Sequence, residues 1–141
     1  MGTLTVNRLL IVEDHPWVLQ ALCGALRLSG CQIESATTLR AARERILEDD
    51  PFDAIICEHQ LSDGSGMHFL GWLRWQQSIS VPFLLISRNE NLVARHARHF
   101  TVLRPPVRAD RLLNSLSSLL SEDSGGVLTR QIPFAAEAKN S

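Results

Sequence analysis

Tyrosine is absent from the 141 residues, and lysine occurs once, at Lys139, so that thirteen of the fourteen basic side chains are arginine. No lysine is therefore available within the portion expected to fold. Long apolar runs are also missing. The longest stretches, such as "LLIV" and "PFLLIS", fall far short of the roughly 20 residues a membrane helix requires, and "MGTLTVNR" lacks the apolar core of a signal peptide. Both absences lead us to expect a cytoplasmic protein with no membrane partner. Cysteine is scarce and odd in number. Cys23, Cys31 and Cys57 stand in apolar surroundings without CxxC or Cys/His spacing, which argues for small buried residues and against a disulfide or zinc. A phosphate-cradling glycine loop and a nucleophile–base pair are not evident, so a conventional enzyme is disfavoured. There is no internal repeat.

What is present suffices for one core. The hydrophobic fraction is 45%, and 141 residues are too few for two ordinary domains. Short β-like runs alternate with amphipathic stretches. "RLLIVE" reads as a strand apolar on both faces, as in a parallel sheet covered on each side. A helix follows with Pro16 in its first turn, Val18, Leu19, Leu22, Leu26 and Leu28 inward, and Gly30 at its end. "CQIESA" is a second strand. A polar helix comes next, capped by Thr37 or Thr38, with Leu39, Ala42 and Ile46 inward. "FDAIICE", "VPFLLIS" and "FTVLR" supply three more strands, with helices at "GMHFLGWLRWQQ", "NENLVARHARH" and "ADRLLNSLSSLLSE". The pattern predicts an α/β fold: a five-stranded parallel sheet, doubly wound with helices on both faces. Residues 1–123 are expected to form the domain and 124–141 a flexible tail, since the periodicity dissolves at "DSGGVL".

In such a sheet the loops at the carboxyl ends of the strands build the site. Those ends carry Glu13 and Asp14 after the first strand, Glu58 at the end of the third, Ser87 after the fourth and Arg104 after the fifth. Three carboxylates gather at one edge, where like charges either recruit a cation or raise a pKa. Together "VEDHP", "EHQLSDGSG", "LLIS" and "LRPP", with the interval from Asp14 to Glu58, resemble the response-regulator receiver domain, the CheY-like family of flavodoxin-like topology, across about residues 7 to 121.

The resemblance implies roles residue by residue. Glu58 stands where the family carries its phosphoacceptor aspartate, Glu13 and Asp14 stand for the magnesium-binding acidic pair, and Gln60 supplies a carbonyl ligand. Ser87 takes the hydroxyl position, Arg104 the position of a phosphate-contacting lysine, and Thr101 that of a switch aromatic. Phe100 is one position off and should point to the other face of its strand. Only seventeen steps separate Ser87 from Arg104, so the fourth helix should be short. A glutamate carries its carboxylate farther out by one C–C bond, about 1.5 Å, and in-line phosphoryl transfer depends on finer positioning than that.

These departures favour a receiver-like module of a two-component or phosphorelay system that acts by protein contact without the phosphorylation cycle. A Glu58–Arg104 pair would then imitate one signalling state. The alternative is a phosphorylatable regulator that uses Mg²⁺ and an unconventional acceptor, Asp63 or Glu58 itself. Mg²⁺ suits an edge of carboxylates, although Arg104 could neutralise the cluster instead. His15 and His59 flank the same edge without a ligand-spacing signature for a transition metal.

Two further features stand outside the acidic edge. Trp72 and Trp75 lie three apart on the third helix and are read as a packing face. Arg88, Arg95, Arg98, Arg104, Arg108 and Arg111 concentrate positive charge between the fourth and fifth helices. That face is the expected contact for another signalling protein, whether kinase, regulator or effector, or for a second copy in a homodimer. A solvated basic face is the plain alternative. Nucleic acid is disfavoured, since no helix-turn-helix pattern follows residue 121 and no aromatics interleave the arginines.

Overall fold

The computed structural model describes residues 8–89 and 99–123. In chain order it contains β1 (Arg8–Val12), α1 (Pro16–Arg27), β2 (Gln32–Ala36), α2 (Leu39–Glu48) and β3 (Ala54–Glu58). Two short strands follow, β4 (Gln60–Leu61) and β5 (Gly64–Ser65), and then α3 (Gly66–Gly71), which runs into a π-helical turn at Trp72–Gln76. The described elements finish with β6 (Phe83–Ile86), β7 (Phe100–Leu103) and α4 (Ala109–Asp123). The expected fourth helix and the tail lie outside the described residues, as do Arg95 and Arg98.

Five strands form one parallel sheet in the order β2-β1-β3-β6-β7. The expected α/β architecture is therefore present, with β1 and β3 at the centre where the strand order reverses. Because β side chains alternate between faces, the sheet divides its core in two. Leu9, Ile11, Ala54, Ile56, Leu84 and Leu103 meet α1 and α4 through Leu22, Leu26, Leu112, Leu116 and Leu119. On the other face, Leu10, Val12, Ile55, Leu85 and Phe83 meet α2 and α3 through Leu39, Ala42, Phe69 and Leu70. Each such side chain contributes about 1.5–3 kcal/mol when fully buried, so the two layers fix the strand ends firmly. Phe100 packs in the second layer beside Phe83, with ring centroids 6.2 Å apart, as expected for a residue on the face opposite Thr101. All three cysteines are buried.

Local chemistry explains the boundaries. Pro16 opens α1, and Thr38 caps α2 by accepting the Ala41 N–H at 3.0 Å. Asp63, reaching across from the β4–β5 turn, accepts the Leu39 and Arg40 N–H groups at 2.9 and 3.0 Å. At the opposite end of the sheet Arg8 lies 4.4 Å from the Phe52 ring and donates to the Asp50 carbonyl at 2.6 Å.

Three packing expectations need correction. Val18, expected to face inward, is 38% exposed in the first turn of α1, before the buried stripe of Leu22, Cys23 and Leu26 begins. Leu28 is 91% exposed because α1 ends at Arg27 and Leu28 serves as its C-cap, beyond the apolar stripe. Trp72 stacks against Phe69 at 5.9 Å, but Trp75 is 76% exposed. The π turn, closed by Gln77 N–H to the Trp72 carbonyl at 3.1 Å, changes the angular spacing of side chains and separates the two indoles.

Candidate functional site

The first residues beyond the central strands meet at one edge. A cavity of about 770 Å³ is lined there by Glu13, Asp14, Glu58, His59 and Ser87, with Trp17, Val18, Pro105, Pro106 and Val107 among its apolar walls. β1 delivers Glu13, whose N–H continues the sheet by donating to the Ala36 carbonyl at 3.0 Å. β3 delivers Glu58, in register with Ile86 of β6, so His59 and Ser87 become neighbours one step farther on.

Glu13 is the most buried acid among the described residues, only 2% exposed. Its Oε2 accepts the His15 N–H at 3.0 Å, while Oε1 is buried without an N–H or O–H partner. Burial pushes the Glu13 carboxyl up from 4.5 to about 7, against the lowering effect of the His15 N–H; the negative charges of nearby Glu58 and Asp14 raise it further.

The other two acids face their own loops. Glu58 Oε2 accepts the His59 N–H at 3.0 Å, and Asp14 Oδ2 accepts the Ser62 N–H at 3.2 Å. Among the described residues, no group of three acidic, histidine or cysteine side chains is placed to hold a metal ion. Glu58 and Asp14 both act on Glu13 through their charge, but the three carboxylates are not grouped so as to hold a metal ion. This donor set does not fit a preformed three-carboxylate Mg²⁺ centre, since Mg²⁺ demands near-ideal octahedral geometry.

Ser87 is 2% exposed, and its Oγ lies 2.9 Å from His59 Nδ1 while accepting the Asn89 N–H at 3.0 Å. The sequence placed His59 beside the edge but gave it no partner; the Glu58–Ile86 register is the signal that pairs it with Ser87. Arg104 follows β7 as expected and is exposed, but it does not line the cavity, where the neighbouring Pro105, Pro106 and Val107 do. Glu58 Oε2 is engaged by the backbone of its own loop. Thr101 sits half-buried on β7 opposite Leu84, Gln60 opens β4, and Arg108 and Arg111 are exposed at the start of α4, with Arg108 3.3 Å from Asp110. Asp63 has both oxygens on the N-terminus of α2, which lowers its pKa, and it does not line the cavity.

Gly66 secures the loop that carries these residues. Its N–H donates to the His59 carbonyl at 2.6 Å, and a Cβ there would lie 2.5 Å from the Glu58 carbonyl and 2.8 Å from Leu85 Cδ1. Only glycine allows α3 to start this close to the end of β3.

The model of the response regulator receiver domain matches residues 9–116. The chain belongs to this family. A receiver domain is a signalling module of two-component systems, and the strand order and site edge found here are consistent with that assignment. Among curated proteins, the transcriptional regulatory protein BasR of Escherichia coli (strain K12) is 33% identical over 90 residues, covering 64% of this chain and 40% of BasR. The matched part thus spans about two fifths of that relative's length. Among solved structures, a CheY-like receiver domain protein from Methanospirillum hungatei JF-1 aligns with a TM-score of 0.75 at 19% identity, covering 86% of this chain and 98% of that one. Chemotaxis response regulator CheY4 of Vibrio cholerae aligns with a TM-score of 0.71 at 21% identity, covering 82% and 99%. These structural likenesses concern the fold alone. Among the described residues no helix is long and apolar enough to cross a membrane.

Proposed function

We propose that this receiver module signals by protein contact and does not run a phosphorylation cycle, with Glu58 standing at the acceptor position. The observation that carries the reading is the Glu58 carboxylate itself. It lines the cavity with one oxygen already engaged, Oε2 accepting the His59 N–H at 3.0 Å, so it is not free for attack as an unencumbered carboxylate. Its extra C–C bond, about 1.5 Å, displaces the oxygens from the geometry an aspartate would give. In-line transfer tolerates little displacement. A glutamate imitates part of an acyl phosphate, holding one negative charge where a phosphoryl group holds about −1.5 to −2.

Magnesium has no assigned role in this reading, because Asp14 accepts the Ser62 N–H and, among the described residues, no three acidic side chains form a metal-binding group. Arg104 retains the charge of the family's lysine but prefers bidentate carboxylate contact. The alternative acceptor Asp63 is less well supported, since its oxygens cap α2. The partner is another signalling protein, whether kinase, regulator or effector, and Arg108 and Arg111 offer it an exposed basic face. The test is intact mass after incubation with acetyl phosphate and Mg²⁺. The expected mass is unchanged.

A further inference from the structure

The cavity combines features that suit an organic cation better than a bare metal ion. Glu13 lines it, almost wholly buried, and its Oε1 has no N–H or O–H partner. A buried carboxylate oxygen without a donor is costly, so a donor entering from the cavity side would relieve it.

Among the described residues the carboxylates also form no group placed to hold a metal ion. Glu13, Asp14 and Glu58 each engage a backbone N–H on a different turn of chain. Mg²⁺ requires its oxygens converged at about 2.0–2.1 Å. A guanidinium instead presents five N–H donors in a planar fork and can serve oxygens that lie apart.

Finally, the walls are apolar and open. Trp17, in the first turn of α1, is 75% exposed, and Val18, Ala21, Pro105, Pro106 and Val107 continue the lining. Such walls offer little to a hydrated metal ion. They favour an aliphatic stem, with an indole available for a cation–π contact. Arg88 is the one cation among the lining residues, against three acids.

We propose that this cavity receives the guanidinium group of an arginine on a partner protein, its stem along Trp17 and its head at Glu13 and Glu58. The inference rests on the protein-contact reading and deepens it by naming what the partner carries. It gives this domain two charge-selective surfaces: the acidic cavity for a basic side chain, and the exposed Arg108 and Arg111 around the start of α4 for an acidic one.

The test uses the full chain and butylguanidinium as the probe, followed by the NMR signals of the Trp17 indole and the Glu13 and Glu58 amides. Butanol, with a stem but no charge, and MgCl₂ at matched ionic strength are the controls. Saturable shifts with butylguanidinium that butanol does not produce are expected. Glu58→Gln and Trp17→Ala, each checked for a native spectrum, should each weaken binding about fivefold, as for a partly exposed charge contact. The absence of saturable shifts would overturn the inference. So would unchanged affinity in both variants, or saturation by Mg²⁺ that blocks the probe. Phosphorylation by acetyl phosphate would refute the protein-contact reading without altering this titration, so the two failures are separable.

Discussion

His59 Nδ1 lies 2.9 Å from Ser87 Oγ, joining the residue after β3 to the residue after β6 across the carboxyl edge of the sheet. Ser87 Oγ also accepts the Asn89 N–H, so the hydroxyl is held from both sides. A net hydrogen bond of this kind contributes about 0.5–1.5 kcal/mol. His59→Ala should therefore lower stability by about 1 kcal/mol, and Ser87→Ala by a similar amount. Because both remove one shared bond, the double variant should cost clearly less than their sum. Urea unfolding of the cycle checks this, and strict additivity would show that the pair is not coupled.

The proton on Glu13 gives a pH dependence whose sign is fixed. Its carboxyl titrates at about 7 when folded and near 4.5 when unfolded. Between those values the folded state holds the proton and the unfolded state has lost it. This contribution to stability is complete below 4.5, falls as pH rises and is gone above about 7. The slope approaches about 1.4 kcal/mol per pH unit where the two states differ by one proton. Denaturant midpoints compared at about pH 5 and about pH 8 should fall for the parent and change less for Glu13→Gln.

Gly66→Ala tests how tightly the acidic loop is packed. The added methyl would meet the Glu58 carbonyl, which is backbone and cannot rotate away, and the Cδ1 of the fully buried Leu85. Overpacking of this kind costs about 1–3 kcal/mol. Chemical shifts of Glu58 and His59 should move along with the stability loss. A neutral substitution would mean that the start of α3 can shift away from β3.

Asp63→Ala removes two acceptors from the N-terminus of α2 and should cost about 1 kcal/mol. Circular dichroism during urea unfolding would register it. Treatment with a phosphodonor should leave the mass of parent and variant alike, as expected of a cap that takes no phosphoryl group.

The strand ends were legible because β1, β3 and β6 are apolar on both faces and each stops at a polar residue, so Glu13, Glu58 and Ser87 fall at the edge the sequence indicates. Direction within the edge was not legible. Asp14 turns to Ser62 because β4 and β5 fold back as a hairpin of two-residue strands, too short to show a hydrophobic period. Trp75 was misplaced for a similar reason: a π turn leaves no mark in a pattern of apolar residues that assumes helical spacing. The His59–Ser87 contact depends on the register of two strands separated in sequence, which composition does not encode.

Whether the carboxyl edge can still accept a phosphoryl group is decided most directly by intact mass after incubation with acetyl phosphate and Mg²⁺. The parent chain should be compared with Glu58→Asp and with Glu58→Asp combined with Arg104→Lys. The account predicts no mass gain for the parent, little or none for Glu58→Asp and labelling only when both family residues are restored. A stoichiometric gain of one phosphoryl group on the parent, lost in Glu58→Gln, would contradict it.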